Sequence, residues 1–219
     1  ILAMIPALYF YRRDKVRRIA GGLIPAQKKV PLSLLEIILL LLAGAGLAQY
    51  GNFLMAILQS FINSSAYQES MTRITEGKSL LMMIFWMGIV APAAEEMIFR
   101  WLIYLRLRDW MKLPVAAVIS GVVFGIYHGN IVQGIYASIL GTAFAWILEM
   151  SGNIYSSMLL HMGANIWSLV ITEYALDLFS MKYGVQILIL IYLILLAGVV
   201  CCLTHFEKVY SVRKKKRMI

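Results

Sequence analysis

Residues 79–105 form an apolar run long enough to cross a membrane, yet the segment APAAEEMIFRWLIYLRLR (91–108), which overlaps its second half, carries Glu95, Glu96 and Arg100. A charge held in hydrocarbon costs about 3 kcal/mol or more on insertion scales, so such residues face a protein interior or a wet cavity. The run therefore has to be surrounded by other helices. In a helix Glu96 and Arg100, at i and i+4, are neighbours on one face, while Glu95 points about 100° away. Glu96 is then neutralised by Arg100, and Glu95 is left for another partner. A buried Glu–Arg pair that only fixes packing accounts for one carboxylate. The second needs a further reason.

Composition supports the membrane reading. With 61% hydrophobic and 14% charged residues in 219 and a mean hydropathy of +0.79, the chain is too apolar for a soluble domain. The expected fold is all-α, a polytopic transmembrane bundle of about seven spans, forming one domain over residues 1–219. The net charge of +9 sits mostly in short basic runs beside apolar stretches, the positive-inside pattern, which argues against nucleic acid as a partner. Cys201 and Cys202 are adjacent, and no CxxC pattern occurs, so neither a disulfide framework nor a cysteine zinc site is expected.

The first run, residues 1–11, is shorter than the roughly 20 residues a span needs and reads as the end of a truncated first span, with the natural N-terminus missing. A signal peptide fits poorly, because the basic cluster follows the apolar run. Arg12, Arg13, Lys15, Arg17, Arg18, Lys28 and Lys29 then mark a cytoplasmic loop. A second span covers 31–50 and continues to Ile62 as the same helix or as an interfacial segment. Polar residues 63–78 fit the outer face. Spans follow over 79–105, 113–128, 131–149, 154–172 and 185–203, leaving 208–219, with Arg213, Lys214, Lys215, Lys216 and Arg217, as a basic cytoplasmic tail. In the fourth of these spans Gly121, Gly125 and Gly129 recur every four residues, a small-xxx-small stripe for close helix packing. The localisation expected is a cell membrane, multi-pass.

His128, His161 and Asn165, with Glu95 and Glu96, make up most of the strongly polar side chains in the apolar interior of the last five spans. Phe124 and His128 share one helix face, His161 and Asn165 another. Brought together, these groups can activate water: a glutamate shielded from bulk solvent takes its proton, an imidazole helps hold it, and a second imidazole and an amide donate to the oxyanion formed on a peptide carbonyl. Two imidazoles and a carboxylate could instead hold zinc, with Glu95, His128 and His161 as ligands. GxSxG and HExxH are absent, and Asp14, Asp109 and Asp177 fall in loops or at span ends, which disfavours serine, zincin and aspartyl chemistry. His205, beside Glu207, reads as a structural residue. A proton-coupled transporter would be expected to carry an internal repeat, and none is visible.

Three patterns thus stand in order: EExxxR (Glu95, Glu96, Arg100), FxxxH (Phe124, His128) and HxxxN (His161, Asn165). Over residues 89–167 the chain resembles the CPBP family, the CAAX prenyl endopeptidase and bacteriocin-processing (Abi) intramembrane proteases. The resemblance implies a catalytic core in that segment, with Glu95 as general base, His128 as its partner in binding the attacking water, and His161 with Asn165 stabilising the oxyanion. Glu96, Arg100 and Phe124 support the site, Glu96 counting among the catalytic residues. It implies a metal-independent mechanism, with a divalent metal such as zinc as the alternative, and a peptide or membrane-protein substrate in the bilayer. The alternatives are a CAAX prenyl-protein endopeptidase specifically, or a non-catalytic membrane scaffold. Helix lengths place His128 farther from the cytoplasmic face than Glu95 and His161, so tilts or a kink near Pro92 must bring them level.

Overall fold

The computed structural model describes residues 4–23, 31–62, 69, 72, 76–172 and 184–217. These form seven helices and, among the described residues, no strand. They are α1 (Met4–Ala20), α2 (Leu34–Phe61), α3 (Leu80–Trp110), α4 (Leu113–Tyr127), α5 (Ile131–Ser151), α6 (Ile154–Trp167, running on as a π-helical turn over Ser168–Thr172) and α7 (Val185–Arg217). Most of the polar stretch 63–78, together with Lys28, Lys29 and Asp177, lies outside the described residues.

Four helices, α2, α3, α5 and α7, are long and apolar enough to cross a membrane, which makes this a multi-pass membrane protein. The count of about seven spans is thereby reduced to four that qualify by length and composition. At 15 residues, α4 is about 22 Å long, short of a hydrocarbon core of roughly 30 Å. At 14 residues before its π-helical turn α6 is shorter still, and its Ser156, Ser157 and His161 are buried. The truncated first span also changes form, because Met4–Ala20 is one unbroken helix through the boundary expected after Tyr11. The stretch from Tyr50 to Phe61 proves to be a continuation of α2, and the basic tail continues α7 as helix through Arg217.

Local chemistry sets the helix ends. Ser33 and Glu36 form a capping box at the start of α2, with the Ser33 N–H donating to Glu36 Oε2 at 2.8 Å and the Glu36 N–H to Ser33 Oγ at 3.2 Å. Ser79 caps α3 and Asn130 caps α5 through their side-chain oxygens. Gly121 and Gly125 lie where α4 meets α5 so closely that a Cβ on either would run into Ser138, with Thr142 and Gly134 also in the way. Gly129 departs from the expected stripe: its φ of +75° ends α4 and it meets no neighbour, so it serves the turn and not the interface.

α1 packs along the last turns of α3. Tyr11 stacks near Trp101 with centroids 4.7 Å apart, Asp14 pairs with Arg106, and Arg18 holds Asp109 with two bonds of 2.7 and 2.8 Å. Both partners advance in step, so α1 runs parallel to α3. The two aspartates the sequence assigned to loops or span ends are tied into ion pairs between these helices.

Candidate active site

α3 does not keep one register. Two π-helical segments, Ile84–Val90 and Met97–Tyr104, flank the α-helical hexapeptide Ala91–Glu96. Insertions of this kind recur at functional sites because they re-aim the side chains beside them. Here Pro92 supplies part of the cause. Ala91 N–H bonds to Trp86 O, five residues back. In that register the next carbonyl, Met87 O, faces Pro92, which has no N–H. The missing donor comes from α6: Asn165 Nδ2 donates to Met87 O at 2.8 Å. The deviation expected near Pro92 is therefore a change of register held by a side chain from a neighbouring helix.

Glu96 and Arg100 are both fully buried, and Arg100 Nε lies 3.0 Å from Glu96 Oε2. The two are close as charges, although the N–H is not aligned on the oxygen as a hydrogen bond. Arg100 Nη1 donates to Ser120 Oγ at 3.1 Å, and Ser120 passes its own proton to Phe99 O at 2.9 Å. The guanidinium also lies 4.9 Å from the Phe124 ring centroid and 5.6 Å from that of Phe144, a cation–π seat for a charge removed from water. Glu96 accepts from Ser157 Oγ, and its Oε1 lies 3.1 Å from His161 Nδ1. It is saturated.

Glu95 differs. Its side chain keeps 21% exposure against 0% for Glu96, and among the described residues the basic side chain within 4 Å of it is His161, with Nε2 at 3.7 Å. A separation of that size is an electrostatic contact with room for a bridging atom, not a hydrogen bond. His161 thus stands between the two glutamates. With Nδ1–H donated to Glu96, its Nε2 faces Glu95. The ring is fixed by stacking on Phe144, 4.5 Å away at 24°, and by the edge of Phe124 at 5.6 Å.

His128 stands at the C-terminal end of α4, partly buried, on the other side of Phe124, the ring centroids 4.8 Å apart. Its Nδ1 lies 2.9 Å from Phe124 O, and a carbonyl can only accept, so the proton sits on Nδ1 and Nε2 keeps its lone pair. Phe124 is the spacer between the two imidazoles. Glu95, Glu96, Arg100 and His161 are thus in contact where α3 and α6 pack, Phe124 links His161 to His128, and Asn165, one turn beyond His161, bonds to α3 at Met87 O. Among the described residues no group of three or more His, Cys, Asp or Glu is placed to hold a metal ion.

Ser157, Ser120 and Phe144 were not singled out by the sequence. Ser157 lies four residues before His161, the spacing that places both on one helix face, and that signal was available. Ser120 and Phe144 had none, since each matters only through its contact with Arg100 or His161.

The result is a membrane-embedded helical bundle with a buried glutamate–arginine pair and a second, reachable glutamate beside a histidine. Residues 77–167 match the family described as type II CAAX prenyl endopeptidase Rce1-like. Over 89 residues it is 29% identical to the Bacillus subtilis protein named "Putative membrane peptidase YdiL", an alignment that covers 41% of this chain and 36% of that protein. The chain thus matches about a third of the length of this relative. No solved structure gives a significant match.

Proposed function

We propose that the protein is an intramembrane endopeptidase that hydrolyses a peptide bond of a membrane-associated peptide or protein. The observation that carries this reading is the inequality of the two adjacent glutamates: Glu96 is saturated by Arg100, Ser157 and His161, whereas Glu95 is reachable and faces an imidazole across 3.7 Å. A carboxylate so placed can take a proton from water as that water attacks a carbonyl, and can return it to the leaving amine. His128 Nε2, with its lone pair, accepts the water's other hydrogen and aims the oxygen.

The oxyanion is stabilised by His161, which donates through Nε2 when its ring carries both protons, and by the second N–H of Asn165, whose first is held by Met87 O. Glu96 orients His161 and does not itself meet the substrate. The chemistry needs no metal. The tail after α7 is cytoplasmic in this reading, by the positive-inside bias.

The family description points to prenylated CAAX proteins as one substrate class, and peptides without a lipid are the other. Both are tested with purified protein in proteoliposomes, using two quenched-fluorescent reporters, a farnesylated CAAX peptide and an unmodified transmembrane peptide. Cleavage of either by the wild type, its loss in Glu95→Gln, and its persistence with chelator are expected. Equal cleavage by Glu95→Gln would remove Glu95 as base, and loss with chelator restored by zinc would favour the metal reading. No cleavage of either reporter, together with a cellular phenotype that survives Glu95→Gln, would leave the scaffold reading.

A further inference from the structure

We propose that the outer face of α1 is a binding groove for a single anionic phospholipid. α1 has two unlike faces. Ala7, Tyr11, Asp14 and Arg18 point toward α3, with Ala7, Asp14 and Arg18 buried. On the opposite side, by the angular spacing of about 100° per residue, an open surface depression of about 700 Å³, formed by α1 alone, is lined by Ile5, Leu8, Tyr9 and Val16 together with Arg12, Arg13 and Arg17.

The groove is graded along its axis. Its N-terminal half is apolar and exposed, with Ile5, Leu8 and Tyr9 at 66%, 41% and 58%. Its C-terminal half presents three guanidinium groups within two turns. Among the described residues no carboxylate lines this face: Asp14, the acid of α1, lies on the other side in its pair with Arg106. Among the described residues, no ion pair joins Arg12, Arg13 or Arg17 to an acid.

Scale and depth agree with a lipid. From Ile5 to Arg17 the helix rises about 18 Å, close to one leaflet of a hydrocarbon core about 30 Å thick plus the start of the headgroup layer. Because α1 runs parallel to α3, with Tyr11 beside Trp101 and Arg18 beside Asp109, the apolar half lies at the depth of acyl chains. The arginines lie near Arg106 and Arg108, where α3 leaves the core. A peptide would leave the apolar half without partners for its backbone groups, and a free phosphate would leave that half empty. A phospholipid fills both, its phosphate held by guanidinium forks.

The test uses the full chain in nanodiscs of equal phosphatidylcholine and phosphatidylglycerol, with lipids retained on gentle release counted by native mass spectrometry. Wild type is expected to retain phosphatidylglycerol over phosphatidylcholine by roughly tenfold or more, each arginine contributing up to about fivefold. Arg12→Gln/Arg13→Gln/Arg17→Gln is expected to bring the ratio near parity, whereas Lys214→Gln/Lys215→Gln leaves it as in wild type. A second variant, Leu8→Trp, fills the apolar half with all three arginines in place and is expected to lower retention several-fold. Parity in wild type, or equal enrichment in wild type and the triple variant, overturns the proposal. So does a groove that proves occupied by a second copy, read as a dimer that the triple variant dissolves.

Discussion

At the residue scale, the proposed mechanism gives the two neighbouring glutamates opposite duties, and substitution separates them. Glu95→Gln removes a base without breaking a pair, so turnover is expected to fall by about 10²–10⁴-fold while thermal unfolding in detergent is nearly unchanged. Glu96→Gln leaves Arg100 buried without its counter-charge, and such losses cost about 3–5 kcal/mol, so the same variant is expected to unfold at a clearly lower temperature as well as to lose activity. Equal thermal shifts for the two would contradict the assignment. Ser157→Ala, which removes one donor to a charged carboxylate, is expected to cost about 1.5–3 kcal/mol and to lower turnover through the placement of His161. Much of this was legible in the sequence, because i and i+4 spacing alone pairs Glu96 with Arg100 and turns Glu95 away. What spacing could not give is contact between helices, which is why the hydroxyl of Ser157 and the ring of Phe144 emerged only with the fold.

At the scale of elements, the feature that matters is the mixed register of α3. Pro92 removes an N–H and Asn165 supplies its replacement, so the two residues form a unit across α3 and α6. In a double-mutant cycle, Asn165→Ala is expected to destabilise the wild type more than it does the Pro92→Ala protein, with a coupling of about 1 kcal/mol measured by unfolding. Additive effects would break the link. The sequence reads a kink at Pro92, since proline always removes a donor, but gives no sign of π-helical turns on both sides. It also misjudges Gly129, whose four-residue spacing from Gly125 suggests packing although its positive φ serves a turn. Close approach is real at the other two glycines, and Gly125→Val is expected to force α4 away from Ser138 and to lower the unfolding temperature by several degrees.

At the scale of the whole molecule, α3, α4, α5 and α6 contribute the side chains of the site, and apolar side chains are exposed along α2, α5 and especially α7, a surface suited to lipid. Apolar runs and basic clusters placed nearly every helix in the sequence, because hydrocarbon forbids unpaired backbone and a long continuous apolar run satisfies it as helix. They overcounted the helices that qualify as crossings by themselves, since α4 and α6 end after 15 and 14 residues. The central claim is that Glu95 and His128, borne by different helices, act on one water molecule as a unit. The most direct measurement is the rate at which proteoliposomes cleave the reporter peptide with wild type, Glu95→Gln, His128→Ala and the double variant. Each single change is expected to lower the rate by about 10²-fold or more and the double to lose little beyond the worse of the two. Losses that multiply in the double variant, or singles that retain near wild-type rates, would contradict it.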